Sequence, residues 1–595
     1  MTSKFATLVQ VIDALRREAP AAYKRYRPKE DEPEKLNNAM SRSFIHLYLK
    51  VKFGILDFMS REYLITDDSD DGGVDAYFID KKNKVVHIIQ SKFRISEKNF
   101  EEKQLSLDDL ARMEVDEIVK GQENGSNGRP YNGKIKQFQS EVNDTHLITQ
   151  YNYKIVVLAN FKHHDILEKI YKGYKIDVFD YSRSYSELVF PVVSGTYFKA
   201  GDLHISINLE NTNSGNTRVS YTATVGSIEA EVTLIFAPVK EIGAVMSTYR
   251  NSILKYNPRS YLGLSNNEVN SSIAQTIIDS TGNEFALYNN GITIVADEAG
   301  YSDKTGKKSV AHLDLINPQI INGGQTAYTL CKIYDDTKSG KTPPEVLEGK
   351  EVLLKIITID PSGSTEEERR ALIEKISRAT NHQTSVDEAD RRSSETIQLK
   401  LQKLFFDKYG LFYERKAGEF FDGLQSGYIG KEMLVDREQL MRVALARNHQ
   451  ISETRARIKN FFSTEAFEKN PLSEDDIDKY AFGYACYQFL TSELSRSRKM
   501  KTPYFERKYG TALRYGRFAV VAVAINKFWV RGEQDPEQAA TQVLNQWIDF
   551  EKWAKEQPRN VRYFGVSKND WVSYYKGETI NIDVKDFDFS MAETN

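Results

Sequence analysis

The stretch YKIVVLANF, residues 153–161, constrains the fold of this chain more than any other. From Ile155 to Ala159 the side chains are all apolar, with none of the alternation that a strand with one wet face would show. Such a strand is dry on both faces and has to lie inside a layered sheet. The surrounding sequence supplies the layers. Residues 1 to about 65 read as helical, and SRSFIHLYLKVKFGI presents Phe44, Leu47, Leu49 and Val51 among polar neighbours. Two strand-like runs follow, VDAYFID and KVVHIIQSKF, joined by the polar turn KKNK. A charged, mostly helical stretch over 96–150 carries the loop GQENGSNGRPYNGK. After YKIVVLANF come a short helix, HHDILEKIYKGY, and a strand, KIDVFDYS. The order helix, strand, strand, helix, strand, helix, strand makes a compact α/β unit that closes near residue 185.

The second strand of this unit ends on polar residues. Side chains alternate along a strand, so one face of VVHIIQSK holds Val86, Ile88, Gln90 and Lys92. Asp75 shares its face with Tyr77 and Ile79, and a hairpin would set it beside Gln90 and Lys92 at one end of the sheet. These three groups suit phosphodiester hydrolysis. A carboxylate holds Mg²⁺, and the Gln90 amide or the Ser91 carbonyl offers a second oxygen. A lysine beside the metal orients the attacking water and offsets developing negative charge. The plain alternative is a hairpin with a snorkelling lysine. Asp71, in Asp-Gly-Gly, reads as turn chemistry that shapes the bend before the strand.

DGGVDA followed by VVHIIQSKF, with fourteen residues between Asp75 and Gln90, resembles the PD-(D/E)xK nuclease superfamily. More closely it is similar to the Mrr-type branch, in which the acid-x-lysine is replaced by Gln-x-Lys. The resemblance covers roughly residues 35–185 and implies a restriction-endonuclease-like fold. It also implies Asp75 and Gln90 as metal ligands, with Asp75, Gln90 and Lys92 as the catalytic set. Members of this branch often add a glutamate from the first helix. SRSFIHLYLKVKFGI has none, and Glu62 is the nearest substitute.

Beyond residue 188 the composition shifts to alternating strands, HISINLEN, RVSYTATV and AEVTLIFA, with Gly/Asn/Ser turns. Strands LYNNGITIVAD, HLDLINPQII and EVLLKIITID then mix with helices, and from TEEERRALIEKISRAT onwards the pattern is mainly helical to about residue 560. LDLINPQIINGGQTAYTL runs from a strand through Gly323 and Gly324 towards a helix, and successive backbone N–H groups there suit an anion. Asn322, Gln325, Thr326 and Asn381 add uncharged hydrogen-bonding groups fit for a nucleotide or nucleic-acid end. Each also has an ordinary structural role, as junction, turn or helix end. YNPRSYLG, FALYNNGIT, INPQIINGGQT, SRATNHQTSV and FYERKAGEF occur in this order, and together they closely resemble the abortive-infection phage-resistance (AIPR) family. That resemblance covers roughly residues 240–480 and implies antiphage defence.

The segment 495–517 is locally basic, with Arg498, Lys499 and Lys501, and interleaves Tyr504, Phe505, Tyr509 and Tyr515. It reads equally as a nucleic-acid stripe or as a solvated helix surface with buried rings. The formal net charge of −3 excludes a uniformly basic protein but not a local patch of this kind. Two cysteines are too few for a disulfide framework, and no apolar run spans a bilayer, so a cytoplasmic protein with no membrane partner is expected.

The expected architecture is α/β multidomain. It comprises a restriction-endonuclease-like domain over 1–187, a β-rich connector over 188–240, a mixed α/β AIPR module over 241–480 and a helical region over 481–595. The expected function is a defence nuclease, a metal-dependent endonuclease using Mg²⁺ or Mn²⁺. DNA is favoured over RNA, a homodimer is favoured for duplex cleavage, and a phage-derived trigger or nucleotide acts on the AIPR module. The competing expectation is a catalytically inactive nuclease-like binding module in a phage-sensing protein.

Overall fold

The computed structural model describes residues 3–29, 31–81, 83–162, 164–198, 203–210, 218–226, 228–257, 268–280, 282–302, 311–360, 365–380, 396–455, 472–499, 504–530, 535–564 and 570–590. The protein is mixed α/β with several small sheets. It divides into two compact units. The first comprises Met1–Thr380 and Gly418–Lys431, and the second Asn381–Ala417 and Glu432–Asn595.

The first unit opens with helices α1 (Lys4–Arg17), α2 (Pro33–Phe53) and α3 (Phe58–Tyr63). In α1, Ser3 caps the first turn, and Phe5, Leu8, Val11, Ile12 and Leu15 are buried at the three- and four-residue spacing of one helix face. Pro33 starts α2, and Gly54, at φ 65°, ends it. Four strands follow: β1 (Ala76–Asp80), β2 (Val85–Ser91), β3 (Asn152–Leu158) and β4 (Lys175–Val178). They form one sheet in the order β1-β2-β3-β4. β1 and β2 make an antiparallel hairpin, while β3 and β4 add in parallel. Ile155 to Leu158 of β3 are all buried. One face packs Tyr77, Val86, Ile88, Ile155 and Val157 against Ile135, Phe138 and Val142 of the helix Gly133–Asp144. On the other, Phe53 of α2 stacks on Phe78 at 4.1 Å.

The strands expected to form a connector do not build a sheet of their own. β5 (His204–Asn208), β6 (Arg218–Val225) and β7 (Ile228–Pro238) are followed by β8 (Ile292–Ala296), β9 (Glu298–Ser302), β10 (His312–Ile316), β11 (Gln319–Asn322) and β12 (Glu351–Ile359). A three-stranded sheet runs β5-β10-β9 and a five-stranded one β11-β8-β12-β7-β6. The long hydrophobic strand β7 finds its partner in β12, over nine residue pairs. HLDLINPQII is likewise two strands. Asn317 takes a left-handed φ of 49° before Pro318, which has no N–H, so the chain passes from one sheet to another.

Among the described residues the second unit is mainly helical, with one parallel strand pair, β13 (Phe412–Glu414) and β14 (Leu434–Asp436). Helices Arg437–Arg447, Ile477–Lys499, Pro536–Asn545 and Trp547–Glu556 gather round Tyr480, Trp547, Phe550, Tyr574 and Tyr575. No helix among the described residues is long and apolar enough to cross a membrane.

Candidate functional site

After α3 the chain makes one bridge, Ile65 to Ala76, and loops through residues 67–75. Thr66 and Asp67 both donate backbone N–H groups to the Asp75 carbonyl, at 2.9 and 3.1 Å. Asn132 clips the loop, its Nδ2 donating to the carbonyls of Thr66 and Ser69 at 3.2 Å each. Inside it Asp70, Gly72 and Gly73 have φ of 59°, 62° and 75°. A Cβ at Gly72 would stand 2.9 Å from Ile118 and Tyr131, so only glycine fits this turn. Asp71 Oδ1 accepts the Gly73 N–H at 2.8 Å. This folding brings one carboxylate oxygen from each of Asp67, Asp71 and Asp75 within 4.8 Å of the other two.

The hairpin register carries the same acid to Gln90. Ala76 pairs with Ile89, so the next step sets Asp75 against Gln90, and the Asp75 N–H donates to the Ile89 carbonyl at 2.9 Å. The Ser91 N–H donates to Asp75 Oδ2 at 2.6 Å. Asp75, Gln90, Ser91 and Lys92 line one cleft of about 710 Å³, together with Arg25, Asn38, Arg42 and Asp67. Gln90 Oε1 is buried with no hydrogen-bond partner among the described residues. Burial holds the Asp75 carboxyl well above the usual carboxylate range, and the charges of Asp67 and Asp71 add to the shift. Burial likewise raises Asp71 to about 6. The three clustered carboxylates and a bare amide oxygen form an all-oxygen donor set, which fits a hard divalent cation such as Mg²⁺ or Mn²⁺.

Asp67 and Asp71 were not among the sequence candidates for the metal. The signal lay in ITDDSDDGGVDA, where five aspartates fall within the nine residues 67–75. Asp67, Asp71 and Asp75 stand at the first, fifth and ninth positions and Gly72 at the sixth, a spacing shared with calcium-binding loops.

Glu62 lies elsewhere. It sits in a buried cluster in which Arg42 Nη2 donates to its Oε1 at 3.0 Å, His46 Nε2 meets its Oε2 at 3.1 Å and the Tyr26 hydroxyl donates to the same oxygen. Burial alone would raise its pKa, but the His46 hydrogen bond and the Arg42 charge outweigh it and bring Glu62 down to about 2. Burial and the Arg61 charge bring His46 down to about 4, so its ring is neutral near pH 7. Arg42 reaches on to Asp67, its Nη1 lying 2.5 Å from the carbonyl and 3.5 Å from Oδ2. Glu62 thus acts on the acid trio through Arg42.

The glycine-rich motif forms a hydrogen-bonded junction. Gly323, at φ 79°, precedes the helix Gly324–Lys338. Asn322 Nδ2 donates to the Thr380 carbonyl at 2.9 Å, Asn270 Nδ2 to Gln325 Oε1 at 3.0 Å and Asn289 Nδ2 to Thr326 Oγ1 at 3.1 Å. A Cβ at Gly324 would lie 2.7 Å from Asn257 Nδ2. At Gly323 it would lie 2.7 Å from the Gly291 carbonyl and 2.9 Å from Ile292 Cα, both backbone. Gly323→Ala is therefore expected to cost about 2–4 kcal/mol, measured as a lower urea midpoint. Asn381 lies outside the described residues.

In the basic segment, Arg498 and Lys499 are exposed in the last turn of Ile477–Lys499, where cations favour a helix C-terminus. Tyr509 is 6% exposed and belongs to the helical core, so it offers no face for stacking on bases. Tyr515 is half-buried, with Arg455 and Arg514 over its ring at 5.5 and 5.1 Å. Lys501 and the side chains of Tyr504 and Phe505 lie outside the described residues.

A family model described as AIPR protein matches residues 254–558. No curated protein and no solved structure matches the chain.

Proposed function

The chain belongs to the AIPR family, membership of which points to antiphage defence, and from this premise we propose that it is a defence nuclease that hydrolyses nucleic-acid phosphodiesters at the Asp75 cleft. The observation that carries the proposal is the convergence on one cleft of Asp67, Asp75, the unpartnered Gln90 amide oxygen and Lys92, with Asp71 completing the acid trio. The sheet order and the Asp75/Gln90/Lys92 arrangement also support kinship with the PD-(D/E)xK nucleases of the Gln-x-Lys type.

Asp67, Asp71, Asp75 and Gln90 would hold Mg²⁺ or Mn²⁺. Bound there, the ion supplies Lewis-acid polarisation of the phosphate and a water of lowered pKa. The protein's own contribution is positional. The Ser91 N–H fixes Asp75 Oδ2, and the paired strands hold Gln90 beside it. Lys92, exposed on the cleft, neutralises charge as it builds on the phosphate oxygens and holds the attacking water in line. DNA is the favoured substrate. One such site cuts one strand, so duplex cleavage favours a dimer.

The test is cleavage of plasmid DNA and of RNA with Mg²⁺, and with EDTA in its place. Lys92→Ala is expected to lower the Mg²⁺-dependent rate by about 10²–10³-fold and to abolish phage protection. Full cleavage and protection by this variant would remove Lys92 from the mechanism. If the wild-type protein binds DNA without cutting either polymer, the reading as an inactive binding module takes its place.

A further inference from the structure

The segment Gly418–Lys431 lies within the region that matches the family, yet it packs in the first unit. The chain on either side of it, at Ala417 and Glu432, belongs to the second unit. Gly423 is pressed so closely to Val193 that a Cβ would stand 2.6 Å from the Val193 carbonyl. Gln10 Nε2 donates to the Gly427 carbonyl at 3.1 Å. Tyr428, 2% exposed, inserts its hydroxyl between the N-terminal helices. There it accepts from Lys50 Nζ at 2.8 Å and donates to Glu18 Oε1 at 3.3 Å.

From Tyr428 a continuous run of buried and part-buried polar contacts leads to the acid trio. Glu18 accepts from Lys50 Nζ at 2.8 Å and, through its other oxygen, from Arg61 Nη2. Arg61 is wholly buried, and its Nε donates to His46 Nδ1 at 3.1 Å. With Nδ1 accepting, the neutral His46 ring carries its proton on Nε2 and offers it to Glu62 Oε2. Glu62 holds Arg42, and Arg42 holds Asp67. Arg61, His46, Glu62 and Arg42 are buried, and each is held by its neighbours in the row, so a shift at one is passed to the next.

We propose that Tyr428 is a positioning residue of the cation site, acting through Glu18, Arg61, His46, Glu62 and Arg42 to set Asp67 against Asp71 and Asp75. The inference rests on the metal-site reading above. It adds that a segment of the family-matched region governs how tightly the N-terminal trio holds its ion.

The experiment is a Mn²⁺ titration of the full-length protein, followed by electron paramagnetic resonance of the free ion. Wild type is expected to bind and Asp75→Asn to lose binding. Tyr428→Phe keeps the buried ring and removes only the hydroxyl. It is expected to weaken Mn²⁺ binding about tenfold with little change in melting temperature. Glu18→Gln, further along the row, is expected to weaken it similarly. Gln10→Ala, which loosens the same segment outside the row, is expected to bind Mn²⁺ as wild type does. Wild-type affinity in both Tyr428→Phe and Glu18→Gln overturns the inference and leaves the metal site standing. An equal loss in Gln10→Ala also overturns it, because packing of the segment would then suffice. Absent binding, or binding indifferent to Asp75→Asn, removes the metal-site reading and the inference with it.

Discussion

Asp75→Asn is expected to lower Mg²⁺-dependent cleavage by about 10³-fold while making the ion-free protein more stable. Both effects have one origin. Burial, with the neighbouring charges of Asp67 and Asp71, raises the Asp75 pKa above its unfolded value near 3.8. A carboxyl with a raised folded pKa binds more protons in the native state than in the unfolded one. Its cost is therefore absent below the unfolded pKa and grows as pH rises through the folded pKa. In EDTA at pH 8 the asparagine variant is expected to melt a few degrees above wild type, with the difference closing as pH falls towards 4. Adding Mn²⁺ is expected to reverse the order, since only the wild-type site gains an ion. Thermal melts of the two proteins over this range, with and without Mn²⁺, check the prediction. A variant less stable than wild type in EDTA at pH 8 would show that Asp75 is not under electrostatic strain.

Arg42→Met is expected to cost about 3–5 kcal/mol, the usual penalty for stripping one partner from a buried ion pair. Arg42 and Glu62 are 6% and 8% exposed, and the substitution leaves Glu62 with only the neutral His46 and the Tyr26 hydroxyl. Arg42→Met/Glu62→Gln is expected to recover much of the loss, because neither charge is then buried alone. Guanidinium denaturation of wild type, both single variants and the double variant completes the cycle. A loss below about 1 kcal/mol for Arg42→Met would mean that water reaches Glu62.

The sheet of the first unit was legible because its strands are short apolar runs of different character. VDAYFID and KVVHIIQSKF alternate enough to be a hairpin, and IVVL cannot face water. Strand alternation then brought Asp75, Gln90 and Lys92 to one end, and the cleft does contain all three. Asp71 was half-legible. It does shape the turn, through the Gly73 N–H, and the same turn brings one of its carboxylate oxygens near those of Asp67 and Asp75. Local sequence reports the first role and not the second, because convergence depends on Asn132 clipping the loop from more than sixty residues away. Glu62 read from sequence as a substitute for the missing first-helix glutamate, and only packing reveals the three partners that hold it elsewhere. Tyr428 carried no signal, since its socket is built by residues some four hundred positions earlier. The β-rich segment misled for a related reason. Alternation shows that strands exist, and β6 does pair with β7, but the second partner of β7 lies beyond residue 350.

The late position of Tyr428 also sets a timetable for synthesis. Lys92 is made early, but the residue that fills the space beside Lys50 and Glu18 follows more than three hundred residues later. At about 5–20 residues per second, the ribosome takes roughly 20–70 s to travel from one to the other. Throughout that interval the nascent chain carries every acid of the trio with the Tyr428 socket still open. If Tyr428 braces the cation site as proposed, that site stays unfinished on every polypeptide that has not yet reached residue 428.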